Sequence, residues 1–432
     1  MNKELIPNEW EVKTLGELAH YINGYAFKPE DWSKEGIKII RIEQLNKPTG
    51  SYDYFNGIIP QKNAITNGDL IFSWSATLKV IIWQYGNAVL NQHLFKVIPF
   101  KDCDKLFLFY LLDFYMDELS GSSHGSTMKH IKRGDIDLFK VIIPIQKHQQ
   151  QKIAKVLSTI DNQIEQTQAL IEKYTAIKQG LMSDLFSRGI DINTGKLRPS
   201  YQQAPELYWE SELGWIPNGW NAPLLDKFAK RNSGHTPAKT ISEYWNGGVK
   251  WVSLADSNKL DKLYITATRF EVSQLGIQNS SAIELPKGTV ILSRDAGIGK
   301  SAILAKRMAV SQHFMAWTCN KSSSNLFLYY WLQNMKPVFE QVAMGSTIPT
   351  IGLDFFKRLQ IACPDNIEEQ KNIGLKLKEL DLLIFKFKNE KQKSQSQKQG
   401  LMQDLLTGKK LVDNLPDSIL TSTSSSQEVA QL

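Results

Sequence analysis

Lys178-Gln179-Gly180-Leu181-Met182-Ser183-Asp184-Leu185 returns as Lys398-Gln399-Gly400-Leu401-Met402-Gln403-Asp404-Leu405, with only Ser183 replaced. The shift is 398 − 178 = 220 residues, about half of the 432-residue chain. The same shift relates Gly125-Ser126-Thr127 to Gly345-Ser346-Thr347, Gln92-His93 to Gln312-His313, and Pro144 to Pro364. It also relates Gly68 and Ser73 to Gly288 and Ser293. Further upstream it shortens to 216 − 6 = 210, where Ile6-Pro7-Asn8-Glu9-Trp10 is answered by Ile216-Pro217-Asn218-Gly219-Trp220. A shift held across separated blocks marks an internal duplication, and it organises the rest of the reading.

The repeated octapeptide closes a long helical pattern. Ile153, Leu157, Ile160, Ile164, Thr167, Ile171, Tyr174, Lys178, Leu181 and Leu185 step alternately by four and three, and only Thr167 and Lys178 break the apolar seam. That is the heptad of a coiled coil. The second copy runs Ile373, Leu377, Leu380, Ile384, Phe387, Lys391, Ser394, Lys398, Leu401 and Leu405 in the same register, with a polar stretch at 391–398. Both follow a proline, Pro144 or Pro364, as at a strand-to-helix boundary. Two seams of equal length and phase are expected to pair with each other. At ~1.5 Å per residue, about 37 residues make a spacer of ~55 Å.

Ahead of each helix the pattern changes to short β-branched and aromatic runs punctuated by Gly, Asn and Ser, such as 36–42, 69–74 and 289–293. These predict strands joined by loops, with a few helices such as 106–119. The expected division is a mixed domain over 1–143, a helix over 144–187, a linker over 188–211, a second mixed domain over 212–363 and a second helix over 364–408. A Ser- and Thr-rich tail over 409–432 is expected to be disordered. Trp10 and Trp220 read as core anchors.

Apolar residues are 42% and charged residues 22% of the chain, as in ordinary globular proteins, which excludes wholesale disorder and a fibrous chain. No run approaches the ~18 apolar residues of a membrane span, and the first residues lack the apolar core of a signal peptide. Cys103, Cys319 and Cys363 are too scattered for a disulfide framework or a paired-cysteine metal site. The expectation is a soluble, cytoplasmic protein. The formal charge of +7 is uneven. Residues 1–145 carry 16 basic and 17 acidic groups (16 − 17 = −1), whereas 191–363 carry 19 and 13 (19 − 13 = +6). A phosphate-bearing partner suits the second half better than the first.

Candidate chemistry is sparse. Asp295-Ala296-Gly297-Ile298-Gly299-Lys300-Ser301 imitates a nucleotide loop, but Arg294 stands where the first glycine is required, and the other half has Ser73-Trp74-Ser75-Ala76-Thr77-Leu78-Lys79. A turn between two strands with Lys300 exposed is expected instead. Asp365 with Glu369 and Lys371 imitates a metal nuclease, but the spacing is short and the first half has no acids there; a helix N-terminus accounts for Glu368 and Glu369. The seven histidines form no metal spacing. What recurs is different: Gln-His pairs at strand ends, read as packing residues, and Gly-Ser-Thr loops whose hydroxyls, with neighbouring lysines, suit groove and phosphate contacts or plain turn chemistry.

The ordered, duplicated set of Ile-Pro-Asn-x-Trp openings, Gly-Ser-Thr loops, proline-then-glutamine helix starts and Lys-Gln-Gly-Leu-Met-x-Asp-Leu helix ends resembles the specificity subunit of type I restriction–modification enzymes. The segment Ser211-Glu212-Leu213-Gly214-Trp215-Ile216-Pro217 resembles the family's entry into its second recognition domain. The resemblance covers the chain to about residue 410. It implies an α+β fold: two similar target-recognition domains separated by two long helices in an antiparallel coiled coil, with an internal pseudo-two-fold repeat. It implies no catalysis by this chain. Double-stranded DNA would be read as a bipartite, asymmetric site, and the helices would set the gap and dock two methylating subunits. Motor-nuclease subunits would join, and S-adenosylmethionine, ATP and magnesium would sit on those partners, with no cofactor, metal or membrane on this chain. The DNA-contacting residues expected are Ser126, Thr127, Lys129 and Lys132 in the first domain and Arg294, Lys300, Ser346 and Thr347 in the second. Arg294 is the leading base contact, because arginine forks onto guanine. The rival readings are a coiled-coil adaptor that touches no DNA, and a nuclease or NTPase built on 294–301 or 365–371.

Overall fold

The structure, a computed structural model, describes residues 6–58, 60–121, 131, 133–344 and 350–415. Four helices organise it: α1 (Lys105–Phe114), α2 (Lys147–Arg188), α3 (Asn325–Asn334) and α4 (Ile367–Leu406). The chain divides into two compact units, Met1–Gln168 with Asn389–Leu432, and Ala169–Lys388. Each unit therefore takes part of α2 and part of α4.

In the first unit Trp10–Thr14 pairs antiparallel with Lys140–Pro144, so Trp10 faces Pro144 across the ladder. A four-stranded antiparallel sheet follows in the order Ala19–Asn23, Leu94–Pro99, Leu70–Ser73, Lys79–Ile82. A second, mixed sheet orders Asp53–Phe55, Ile37–Ile40, Ala88–Leu90 and Ala64–Ile65. The runs Leu70–Ser73 and Ala88–Leu90 are buried throughout, as expected of strands covered on both faces. The main core joins Phe72, Phe95, Phe107, Leu108 and Leu111 to Ile153 and Leu157 of α2 and to Leu401 and Leu405 of α4.

The second unit repeats the plan. Trp220–Asn221 pairs with Cys363–Pro364, again setting a tryptophan opposite a proline. The sheet order Lys230–Ser233, Phe314–Thr318, Val290–Ser293, Ser301–Leu304 matches that of the first unit, extended by a parallel strand Tyr264–Ile265. The strands Leu70–Ser73 and Val290–Ser293 follow a turn in which Gly68 and Gly288 hold φ of +88° and +90°, where a side chain would be strained. Trp245–Val252 centres a three-stranded sheet with Phe270–Val272 and Ala309–Val310. The core sets Trp220, Trp317, Phe327 and Phe339 against Leu185 of α2 and Ile373 and Leu377 of α4. Trp10 and Trp220 are core anchors, both buried.

Within each unit the long helices run antiparallel. In the first, Asp161 meets Lys398 and Gln168 meets Lys391, at 2.8 and 2.6 Å. In the second, Tyr174 stacks on Phe387 and Lys178 meets Asp381 at 2.5 Å, around a small core of Ile171, Ile384 and Phe387. The lysines that break the apolar seams are thus the polar clasps between helices.

Several boundaries differ from expectation. Pro144 and Pro364 do mark strand-to-helix boundaries, but they end the strands, and α2 and α4 begin three residues after them, at Lys147 and Ile367. The helix expected over 106–119 is two, Lys105–Phe114 and Met116–Gly121. The expected linker carries structure: Ile190 bridges Leu197, and Tyr208–Ser211 forms a hairpin with Gly214–Pro217. The expected tail does not begin at 409, since Val412 is buried in the first core and Asp413 pairs with Lys152 at 2.6 Å. Residues 416–432 lie outside the described residues.

Candidate nucleic-acid interface

The site residues expected from sequence are only partly placed. Ser126, Thr127, Lys129, Lys132, Ser346 and Thr347 lie outside the described residues. Arg294 and Lys300 are described, and both sit in the turn between Val290–Ser293 and Ser301–Leu304. Gly297 and Gly299 take φ of +78° and +77° there, and the N–H groups of Gly299 and Lys300 donate to Ser293 and Gly297 carbonyls at 3.0 and 3.1 Å. Those amides are spent inside the turn, so the Gly-x-Gly-Lys pattern makes a tight hairpin and offers no phosphate cradle. Lys300 is half-buried and not exposed as expected, its Nζ 3.4 Å from the Ser257 carbonyl.

Arg294 is one-fifth exposed, and its Nε stands 3.6 Å from Asp295 with no hydrogen-bond partner among the described residues. Its backbone joins three elements: its N–H donates to the His313 carbonyl at 3.0 Å, and its own carbonyl accepts from Ile351 at 2.9 Å. Asp295 accepts from Thr350 Oγ1 and pairs with His313 Nδ1. Gln312 accepts from Thr236 Oγ1. The turn, the Gln-His pair and the chain leaving the Gly-Ser-Thr segment therefore meet on one surface of the second unit.

The Gln-His pairs are not packing residues as expected. In both units the glutamine is exposed and the histidine half-exposed. In the first unit the His93 ring lies tilted against Trp74 (5.7 Å between ring centres) and approaches Ser75 Oγ at 3.5 Å. Each pair is held by a glycine upstream of it. A Cβ on Gly24 would lie 2.1 Å from the Asn91 carbonyl oxygen, and one on Gly234 would lie 2.2 Å from that of Ser311. Only glycine lets these segments pass so close.

The acidic segment after Pro364 is structural. Glu369, buried, accepts from both Arg198 terminal nitrogens, from Trp220 Nε1 at 3.1 Å and from Ile190 N–H at 3.0 Å. The helix dipole expected to account for it is secondary to these four donors. Asp365 accepts from Asn221 Nδ2. Burial pushes the Cys103 and Cys363 thiols up to about 12 and Cys319 to about 11, far from a nucleophile at neutral pH. Among the described residues no group of three or more His, Cys, Asp or Glu could hold a metal ion, and no helix is long and apolar enough to cross a membrane.

The sequence reading missed one feature that its own repeat could have signalled. Tyr110 of α1 donates to Asp161 at 2.8 Å, and Lys398 pairs with the same carboxylate while lying 5.4 Å from the tyrosine ring centre. Tyr330 of α3, Asp381 and Lys178 make the same triad, with 2.8 Å and 5.3 Å for the corresponding contacts. Burial foremost, then the neighbouring aspartate, pushes both phenols well above the usual tyrosine range, so they remain donors. Gln150 and Gln370 likewise accept from the Asp104 and Ser324 N–H groups and donate to the Pro144 and Pro364 carbonyls. These repeated clasps fix each recognition domain to its stretch of helix pair.

The family model described as the type I restriction modification DNA specificity domain matches residues 7–175 and again 217–395. The chain belongs to that family and is a DNA-specificity subunit of a type I restriction–modification system. It is 26% identical over 436 residues to the MjaVIII specificity subunit of Methanocaldococcus jannaschii, covering 95% of each chain. It is 26% identical over 432 residues to the putative MjaX specificity subunit of the same organism, covering 94% of each. Its fold is similar to the crystal structure of a type I S subunit from M. genitalium, with a TM-score of 0.59 at 14% identity over 94% of this chain and 97% of that one.

Proposed function

We propose that each recognition domain reads one half of a bipartite, asymmetric DNA site, while the paired helices set the unread gap and dock two methylating subunits. The observation that carries this is the pairing of a shared frame with unlike surfaces. Strand order, glycine contacts and triads repeat between the units, whereas the residues around the Gln-His pairs differ. Two half-site readers in one chain then recognise two different half-sites, as a symmetric dimer would recognise two equal ones. Ser126, Thr127, Lys129 and Lys132, and Arg294, Lys300, Ser346 and Thr347, are the proposed contacts. Each correct base pair is worth ~1–3 kcal/mol, so two short half-sites suffice.

The chain acts without catalysing. S-adenosylmethionine belongs to the methylating subunits, and ATP and magnesium belong to the motor-nuclease subunits that join them. The test is single-molecule methylome sequencing of cells with and without this chain, alongside a competent methylating partner. The expected result is loss of N6-methyladenine from one two-part motif. Exchanging residues 1–143 for those of another member should change one half of that motif only. An unchanged methylome would favour an adaptor that touches no DNA.

A further inference from the structure

Beside Gln312-His313 the second unit opens into a cleft of about 630 Å³ walled by Trp245, Trp251 and Phe270 and floored by Ser311. Trp251 stands directly opposite Phe270 in the antiparallel pair, and Trp245 meets Trp251 edge-to-face at 5.2 Å. Both indole N–H groups are already bonded, to the carbonyls of Ala238 and His235 at 3.2 and 3.1 Å. The tryptophans therefore offer no donor: Trp251, 5% exposed, backs the wall, and the half-buried Trp245 presents ring surface. Phe270 is 42% exposed, with the Arg269 guanidinium 5.7 Å from its ring centre. Ser311 is 1% exposed, and its Oγ has no hydrogen-bond partner among the described residues. A buried, unsatisfied hydroxyl carries a desolvation cost that a native structure keeps for a reason.

We infer that this cleft captures a single unstacked base of the DNA half-site read by the second domain. A planar heterocycle with a polar edge matches aromatic walls with a hydroxyl at the floor and an exposed amide, Gln312, at the rim. A base still inside the duplex presents only its groove edge, which a concave cleft cannot enclose. The cleft shares Gln312 and His313 with the surface that Arg294 and Asp295 build, and Lys239 lies exposed on its border for a backbone phosphate. The matching place in the first domain is built differently: Tyr25, Phe27 and Phe55 pack against one another beside Asn91. Ile39 occupies the position of Trp251, and Asn91 that of Ser311, with its Oδ1 accepting from the His93 N–H at 3.3 Å. The unpartnered hydroxyl beneath tryptophan walls is thus particular to the second domain.

This inference rests on the DNA reading proposed above, and the test separates the two. The chain, assembled with its methylating subunits, is titrated against duplexes of its mapped site in which each base pair of the second half-site is mismatched in turn. Groove readout weakens at every mismatch. A captured base costs less to extrude when unpaired, so binding should strengthen at one position other than the methylated adenine. Ser311→Ala should lower affinity for the intact site by about tenfold without lowering the melting temperature, because it removes a partnerless hydroxyl. Phe270→Ala should erase the strengthening at that one position. Weakening at every mismatch, or unchanged affinity in Ser311→Ala, overturns base capture and leaves sequence reading intact. Binding indifferent to every mismatch overturns the sequence reading itself.

Discussion

Four donors converge on Glu369, whereas the side chain of its counterpart one repeat earlier, Gln149, donates to Glu9 at 3.1 Å near the surface. Equal positions in a duplicated chain thus carry unequal loads. Removing the carboxylate leaves the Arg198 guanidinium inside the domain without its anion. Glu369→Ala should therefore cost about 3–5 kcal/mol, the range for orphaning one member of a buried pair. Gln149→Ala should stay within about 0.5 kcal/mol, as for an ordinary surface change. Urea denaturation of both variants checks this, and equal losses would refute the assignment. Sequence alone could show that an acid stood at 369. It could not show that Arg198, 171 residues away, reaches it, because such pairing is set by the tertiary path and not by local pattern.

At the scale of elements, the heptad seams of α2 and α4 were legible because a 3.5-residue period survives any context. The interruptions at Lys178 and Lys398 read as flaws in the seam, yet each is the cationic member of a triad with a tyrosine and an aspartate. Period counting registers such residues as defects because it scores polarity and not partners. The Lys178–Asp381 pair is about one-fifth to one-quarter exposed, so solvent screens it only in part. A double-mutant cycle of Lys178→Met and Asp381→Asn should return a coupling of about 0.5–2 kcal/mol. The same cycle on Lys398 and Asp161 should return a similar value, since the geometry repeats. A coupling near zero in both would reduce the triads to crystallographic-style surface pairs with no role in fixing the domains.

At the scale of the whole molecule, the sequence halves and the folded units are not the same objects. The duplication divides the chain near residue 190, whereas each unit draws its core from both copies: Leu185 of the first copy completes the second core, and Leu401, Met402 and Leu405 of the second copy complete the first. The repeated octapeptide is visible in sequence, but its exchange between units is not, because two identical apolar ends are equally suited to either core. The recognition surfaces were less legible still. Hydroxyl loops and Gln-His pairs could be located by their recurrence, but Trp245, Trp251, Phe270 and Ser311 do not recur and carry no motif. A reader of sequence finds what the two domains share, and specificity lies in what they do not. The exchange has a direct consequence. Residues 1–168 expressed alone lack the α4 end that covers Ile153, Leu157 and Phe107, leaving an apolar strip in water. That fragment should aggregate or unfold at low urea. The same fragment co-expressed with residues 389–415 should gain several kcal/mol, because burying each Leu401, Met402, Leu405 or Leu406 side chain contributes ~1.5–3 kcal/mol before the cost of association. Equal stability with and without 389–415, measured by urea unfolding and limited proteolysis, would mean that the first recognition domain is complete without the second copy's helix.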